Sequence, residues 1–253
     1  MKVGLSISFE EGAVNGSFFI DLFNKYVRFT PKAYTKKYST KTWDEKKHLK
    51  EIASATTKDT ISIFDLEGNI LRSGLTGSDI PHRSVTIEQD EDFFMPLDYE
   101  IVQMIRPIKG FTAGYLYNQE YAYIQSTESE TLLEEKHFPK EILDSIKNTP
   151  FHLSVFDKKD YDTKFNPGRM ILIGNTWLMA SWKMWFGKPF FKLVPKDRLL
   201  SFPHAIEVKE LDNEIIYVQL YEKINEPTTP DSVFRQWKWQ EWLNFDDLIE
   251  RYP

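Results

Sequence analysis

The stretch Val3-Gly4-Leu5-Ser6-Ile7-Ser8-Phe9 places an apolar side chain at every second position. Alternation with period two marks a half-buried strand. Val3, Leu5, Ile7 and Phe9 are therefore expected on the core side, with glycine and serine on the other. Gly12 and Gly16 bracket a turn, and Phe18, Phe19, Leu22, Phe23, Tyr26 and Val27 follow at helical spacing until Pro31. Proline lacks an amide donor and disfavours helical backbone at the residue before it. The chain thus opens with a strand and a helix whose aromatic stripe needs a sheet to pack on.

Working outward, hairpins decide the fold class. Strands at 61–66 and 70–71 flank Glu67-Gly68-Asn69, those at 112–117 and 120–125 flank Asn118-Gln119, and those at 208–211 and 215–221 flank Asp212-Asn213. Further strands are read at 84–88, 151–156 and 170–173. Residues 32–41 are polar, basic and read as loop. Thr42 and Glu45 have the form of a capping box. Asp98 caps a helix carrying Ile101, Val102 and Ile105, and Pro139 suits the first position of one carrying Ile142, Leu143 and Ile146. Residues 176–186 read as more helical than extended, and a last helix follows Pro230. Because hairpins require antiparallel pairing, the prediction is an α+β fold: a mixed, largely antiparallel sheet with helices packed on it. The chain is read as a single α+β domain over 1–253. A division into two similar α/β subdomains would fall near 148–150.

Composition narrows the chemistry. The 253 residues include 7 Trp, 12 Tyr and 19 Phe, but no Cys and only five His. A chain of this length buries a core without staples. The lack of Cys excludes thiol catalysis, disulfides and Cys-ligated metals. The N-terminal alternation is not the unbroken apolar stretch of a signal peptide. The most apolar window, 170–187, contains Lys183, which costs about 2.5–3.5 kcal/mol at the centre of a membrane helix. A cytoplasmic location without membrane contact is expected. Net charge is −6, and residues 61–148 hold 7 basic and 16 acidic side chains. An acidic field repels nucleic acid and attracts basic partners.

No catalytic signature stands out. His48, His82, His137, His152 and His204 make no His-Glu-x-x-His, and there is no Gly-rich phosphate loop or nucleophile elbow. Neither Glu88-Gln89-Asp90-Glu91-Asp92 nor the set Asp157, Asp160, Asp162 carries the glycine of a calcium loop. No metal and no cofactor is expected. Trp177, Trp182 and Trp185 form one cluster, and Trp237, Trp239 and Trp242 another. Such clusters serve as core, as protein interface or as stacking platform for sugars. Helical spacing lets Trp182 and Trp185 share a face, as it does Trp239 and Trp242, whereas Trp237 and Trp239 diverge. One of that last pair should therefore point outward or into a second contact.

Two features carry a resemblance. One is the segment Trp185-Phe186-Gly187-Lys188-Pro189-Phe190-Phe191-Lys192-Leu193-Val194-Pro195-Lys196-Asp197-Arg198-Leu199-Leu200-Ser201-Phe202. The other is the opening order of strand, aromatic helix, Trp43 and hairpins ahead of a capped helix. Together they resemble immunity proteins of bacterial polymorphic-toxin and contact-dependent competition systems. The resemblance implies a non-enzymatic cytoplasmic protein that binds and neutralises a cognate toxin domain. It transfers no catalytic residue. An acidic binder gains fast, salt-sensitive encounter with a basic toxin, so Glu88, Asp90, Glu91 and Asp92 are the expected partner-binding residues. The alternative is an enzyme with dispersed carboxylates acting on a polar or sugar substrate. It requires a concave pocket with a carboxylate pair and a nearby Trp.

Overall fold

The computed structural model describes residues 1–55, 59–76, 82–90, 98–136, 138–155, 157–174 and 176–252. In chain order the elements are β1 (Lys2–Glu10), α1 (Gly16–Tyr26), β2 (Ala33–Lys36), β3 (Ser39–Thr42), α2 (Glu45–Ala53), β4 (Ile61–Phe64), β5 (Ile70–Thr76), β6 (His82–Asp90), α3 (Asp98–Ile105), β7 (Phe111–Asn118), α4 (Gln119–Ser126), α5 (Glu130–Glu134) and α6 (Lys140–Leu143). They continue with β8 (Phe151–Leu153), β9 (Lys159–Tyr161), β10 (Ile171–Ile173), β11 (Thr176–Leu178), β12 (Lys183–Phe186), α7 (Lys196–Leu200), β13 (Glu207–Leu211), β14 (Ile215–Gln219), α8 (Pro230–Leu243) and α9 (Phe245–Arg251). Ten strands form one sheet in the order β13-β14-β12-β7-β1-β6-β5-β4-β2-β3. Strands from both sides of 148–150 share this sheet. The fold is α+β.

Register fixes the two faces. Leu5 and Ile7 of β1 stand opposite Ile87 and Val85 of β6; Leu71 of β5, Ile63 of β4 and Tyr34 of β2 continue the same face, and all are buried. Helices α1 and α2 cover it. Asn15 caps α1 by accepting from the Ser17 and Phe18 amides, and Phe18 meets Phe9 edge-on at 5.2 Å. Gly16 sits where the helices cross: a β-carbon there would collide with the Ile52 carbonyl oxygen. Gln89, buried on this face, donates to the Tyr26 carbonyl at 2.8 Å and accepts from the Arg28 amide at 3.2 Å. Its polar groups are thereby satisfied, as burial demands.

The covering layer then changes side. On the second face Phe186 of β12 packs on Phe190 at 4.5 Å, on Trp239 of α8 at 5.8 Å and edge-on to Tyr115 of β7 at 5.9 Å. Hence β1 is buried on both faces and not on one. Ser6 and Ser8 are buried, and the Tyr117 ring lies against Gly4.

Several local expectations are corrected. Residues 32–41 contain the β2–β3 hairpin instead of a loop; it is an outer hairpin, and Tyr34 is its one fully buried side chain, so alternation is faint. The cap of α2 is Asp44, accepting from the Lys47 amide at 3.0 Å, and not Thr42. Trp43 is held against Phe23 at 5.5 Å, which delays the helix start. The second expected hairpin is strand β7 followed by α4, because Asn118 accepts from the Tyr121 amide at 2.9 Å and caps a helix. Residues 176–186 hold β11 and β12, not a helix. All four residues of β12 are buried, and a continuous apolar run does not distinguish the two forms. Trp182 and Trp185 therefore share no helix face. Pro139 precedes α6 at the cap position, and α6 passes at once into a 3-10 turn, Asp144–Ile146. The strand expected over 151–156 is the short β8, with residue 156 outside the described residues. The strand pairings are antiparallel throughout the large sheet, which is therefore not mixed.

His48 gives this packing a pH dependence. Its ring stacks on Tyr34 at 4.4 Å, and its Nδ1 accepts from the Asp44 amide at 3.0 Å. Burial lowers its pKa from the ordinary 6.5, with Glu51 pulling the other way. The folded state thus binds this proton less readily than the unfolded state. The contribution is fully present above pH 6.5 and is lost as pH falls through the folded value. Unfolding by urea at pH 7 and pH 5 should show wild type losing stability on acidification, and His48→Gln losing less. Equal losses would mean that the ring is not the sensor.

Candidate functional site

Where the first-face helix layer stops, a groove opens. Its wall is one stripe of α3, Tyr99, Val102 and Gln103, continued by Arg106 just past the helix end, at the spacing that shares a helix face. Its floor is the first face of β12, β14 and β13, with Trp185, Tyr217 and Lys209 in register and Leu211 two residues further along β13. The cavity holds about 590 Å³, within the ~300–1,000 Å³ range of ligand clefts. Helix spacing and strand alternation create it together: α3 turns Ile101 and Ile105 into the core and leaves the other stripe facing the open sheet.

Trp185 is the unusual member. It is 0% exposed, packs on Tyr217 at 5.7 Å, and its indole N–H has no hydrogen-bond partner among the described residues. The Cε3 edge of the ring packs towards Gly114 of β7, and the N–H is on the opposite edge of the indole. A buried donor left unpaired costs about 1–3 kcal/mol. The charges around it are matched: Arg106 pairs with Asp212 at 2.8 Å, Lys209 with Glu207 at 2.7 Å and Lys196 with Glu210 at 2.7 Å. Lys183 extends over the Trp182 ring at 4.1 Å. The groove therefore has an aromatic floor and a balanced polar rim, with the buried Trp185 donor beneath the floor. Tyr99, 73% exposed, stands at its mouth.

The acidic run lies elsewhere. Glu88 is on the second face of β6, with its carboxylate 3.1 Å from Arg72 of β5. Asp90, at the end of β6, lines a small cavity with Lys32 and Asp65. Glu91 and Asp92 lie outside the described residues, as does His137. Among the described residues no three His, Asp or Glu side chains are grouped to hold a metal, and no helix is long and apolar enough to cross a membrane.

A second concavity, of about 410 Å³, lies between α6 and α8 and is lined by Glu141, Asp144, Asn148, Phe165 and Trp237 among others. Two carboxylates, those of Glu141 and Asp144, and the Trp237 indole thus line one hollow. Trp237 faces outward and Trp239 inward, as their spacing implies. The tryptophan spacing singles out one of Trp237 and Trp239 as outward-facing, but no sequence pattern assembles either site. The one signal for the groove is Tyr99, a large aromatic on the outer stripe of a helix whose inner stripe is Ile101 and Ile105.

Comparisons with protein-family models, with curated proteins and with solved structures find no match for this chain.

Proposed function

We propose that this chain is a non-enzymatic binding protein that seats a partner protein in the groove between α3 and the β12–β14–β13 face. We propose further that the partner is a toxin domain it neutralises in the cytoplasm, as the resemblance in its sequence implies. The observation that carries the binding reading is the open groove itself, with Trp185 and Tyr217 on its floor and paired charges on its rim. Trp and Tyr ringed by polar groups supply the anchors of protein interfaces. The acidic surplus of residues 61–148 supplies long-range attraction to a basic partner.

The test is capture from a lysate of the source cells, washed at low and then high salt, with the retained protein identified by mass spectrometry. One toxin domain retained in equal stoichiometry, and harmless when co-expressed with this chain, is the expected result. Retention of nothing specific would defeat the reading. With that partner in hand, reversing Asp90, Glu91 and Asp92 to lysine should slow association about tenfold at low salt and flatten its salt dependence. An unchanged association rate would remove these residues from the encounter.

A further inference from the structure

We infer that the cleft between α6 and α8 is a binding site for an uncharged oligosaccharide, separate from the partner groove and independent of the toxin reading. Two aromatic side chains flank it in the open: Trp237 is 38% and Phe165 48% exposed. Lys164 already covers Phe165, 5.0 Å above its ring, so Trp237 is the free platform. An indole face in water is suited to the C–H face of a pyranose ring.

The same cleft is also lined by Glu141, Asp144 and Asn148. Carboxylates accept from vicinal hydroxyls through two oxygens, and the amide both donates and accepts. These are the groups that fix the orientation of a polyol once an aromatic holds its apolar face. The two acids also set the charge class, since they repel phosphate, sulfate and uronate groups.

The walls are held rigid from behind. Gln125 donates to the Ser145 hydroxyl at 2.9 Å, and that hydroxyl donates to the Ile142 carbonyl at 2.6 Å. Tyr121 donates to Gln236 at 2.9 Å, and Gln236 to the Pro227 carbonyl at 2.8 Å. Gln240 donates to the Pro167 carbonyl at 2.6 Å. Gln125, Gln236 and Gln240 are all buried. A shelf fixed by satisfied buried amides offers its outward groups without reorganising, which lowers the entropic cost of binding.

The experiment is titration of the full chain with hexamers of β-1,4-linked glucose, α-1,4-linked glucose and β-1,4-linked N-acetylglucosamine, followed through the indole N–H resonances in ¹H–¹⁵N correlation spectra. At least one hexamer should shift the Trp237 resonance, which is assigned by its loss in Trp237→Phe. Trp237→Ala and the separate variant Asp144→Asn should each weaken that binding about tenfold or more while leaving the remaining indole resonances in place. The proposal is overturned if no hexamer shifts Trp237 at millimolar concentration, or if both variants bind as wild type. Loss of the remaining resonances in Trp237→Ala would mark misfolding, and Asp144→Asn then decides. Failure here leaves the partner groove untouched, because that site is read out by Trp185 and by protein capture.

Discussion

Replacing Trp239 with alanine should lower the free energy of unfolding by about 3–5 kcal/mol, the range for deleting a buried aromatic side chain. Trp239 is 0% exposed on α8. It stacks on Phe186 at 5.8 Å, meets Phe202 edge-on at 5.1 Å and donates its indole N–H to the Met179 carbonyl at 3.2 Å. One side chain thus joins the last long helix, a central strand and the segment before β12. Alanine empties the space and leaves the Met179 carbonyl without that donor. Trp239→Phe keeps part of the stack and loses the hydrogen bond, so its cost should be smaller. Trp237→Ala, two residues away on the open side, should stay within about 0.5 kcal/mol. Urea midpoints of the three variants at pH 7 check the ordering. A loss below about 1 kcal/mol in Trp239→Ala would show that the second-face layer is not anchored there.

The contrast between Trp237 and Trp239 is legible in their spacing alone, because two residues apart on a helix cannot share a face. The alternation of β1, the aromatic stripe of α1 and the β4–β5 turn are legible for a related reason: each is a local pattern with one buried side. The misread elements have a common physical cause. Strand β12 is buried on both faces, so Lys183-Met184-Trp185-Phe186 shows no alternation to read. Asn118 ends a strand and caps a helix, and the residues around it suit a turn equally well. The outer hairpin β2–β3 buries little beyond Tyr34, so its polar residues resemble a loop. The sites are less visible still. The groove exists because the helix layer changes face partway along the sheet, and the second cleft exists because residues from 141–148 and residue 237 line one hollow. Both are products of topology. The acidic run stands out by composition alone; in the fold Glu88 pairs with Arg72 and lies on the face away from the groove.

Trp185→Phe should separate folding from binding. Among the described residues the Trp185 N–H is buried without a partner, so its removal relieves a penalty of about 1–3 kcal/mol. The smaller ring gives back part of that gain through lost contact with Tyr217 and Gly114. The two effects oppose, and the unfolding free energy should change by no more than about 1 kcal/mol. In the complex the balance differs. There the Trp185 ring backs the floor on which the partner packs, and the smaller phenyl ring leaves part of that floor unsupported. Interface tryptophans contribute about 2 kcal/mol or more, which corresponds to a dissociation constant raised about thirtyfold. Titration of the captured partner against wild type and variant, beside urea unfolding of both, reads the two quantities separately. Wild-type affinity in Trp185→Phe would remove the groove from the interface. A large loss of stability would make the indole a core residue and nothing more. Unchanged stability with weakened binding is the outcome that a tryptophan under the floor of a working groove requires.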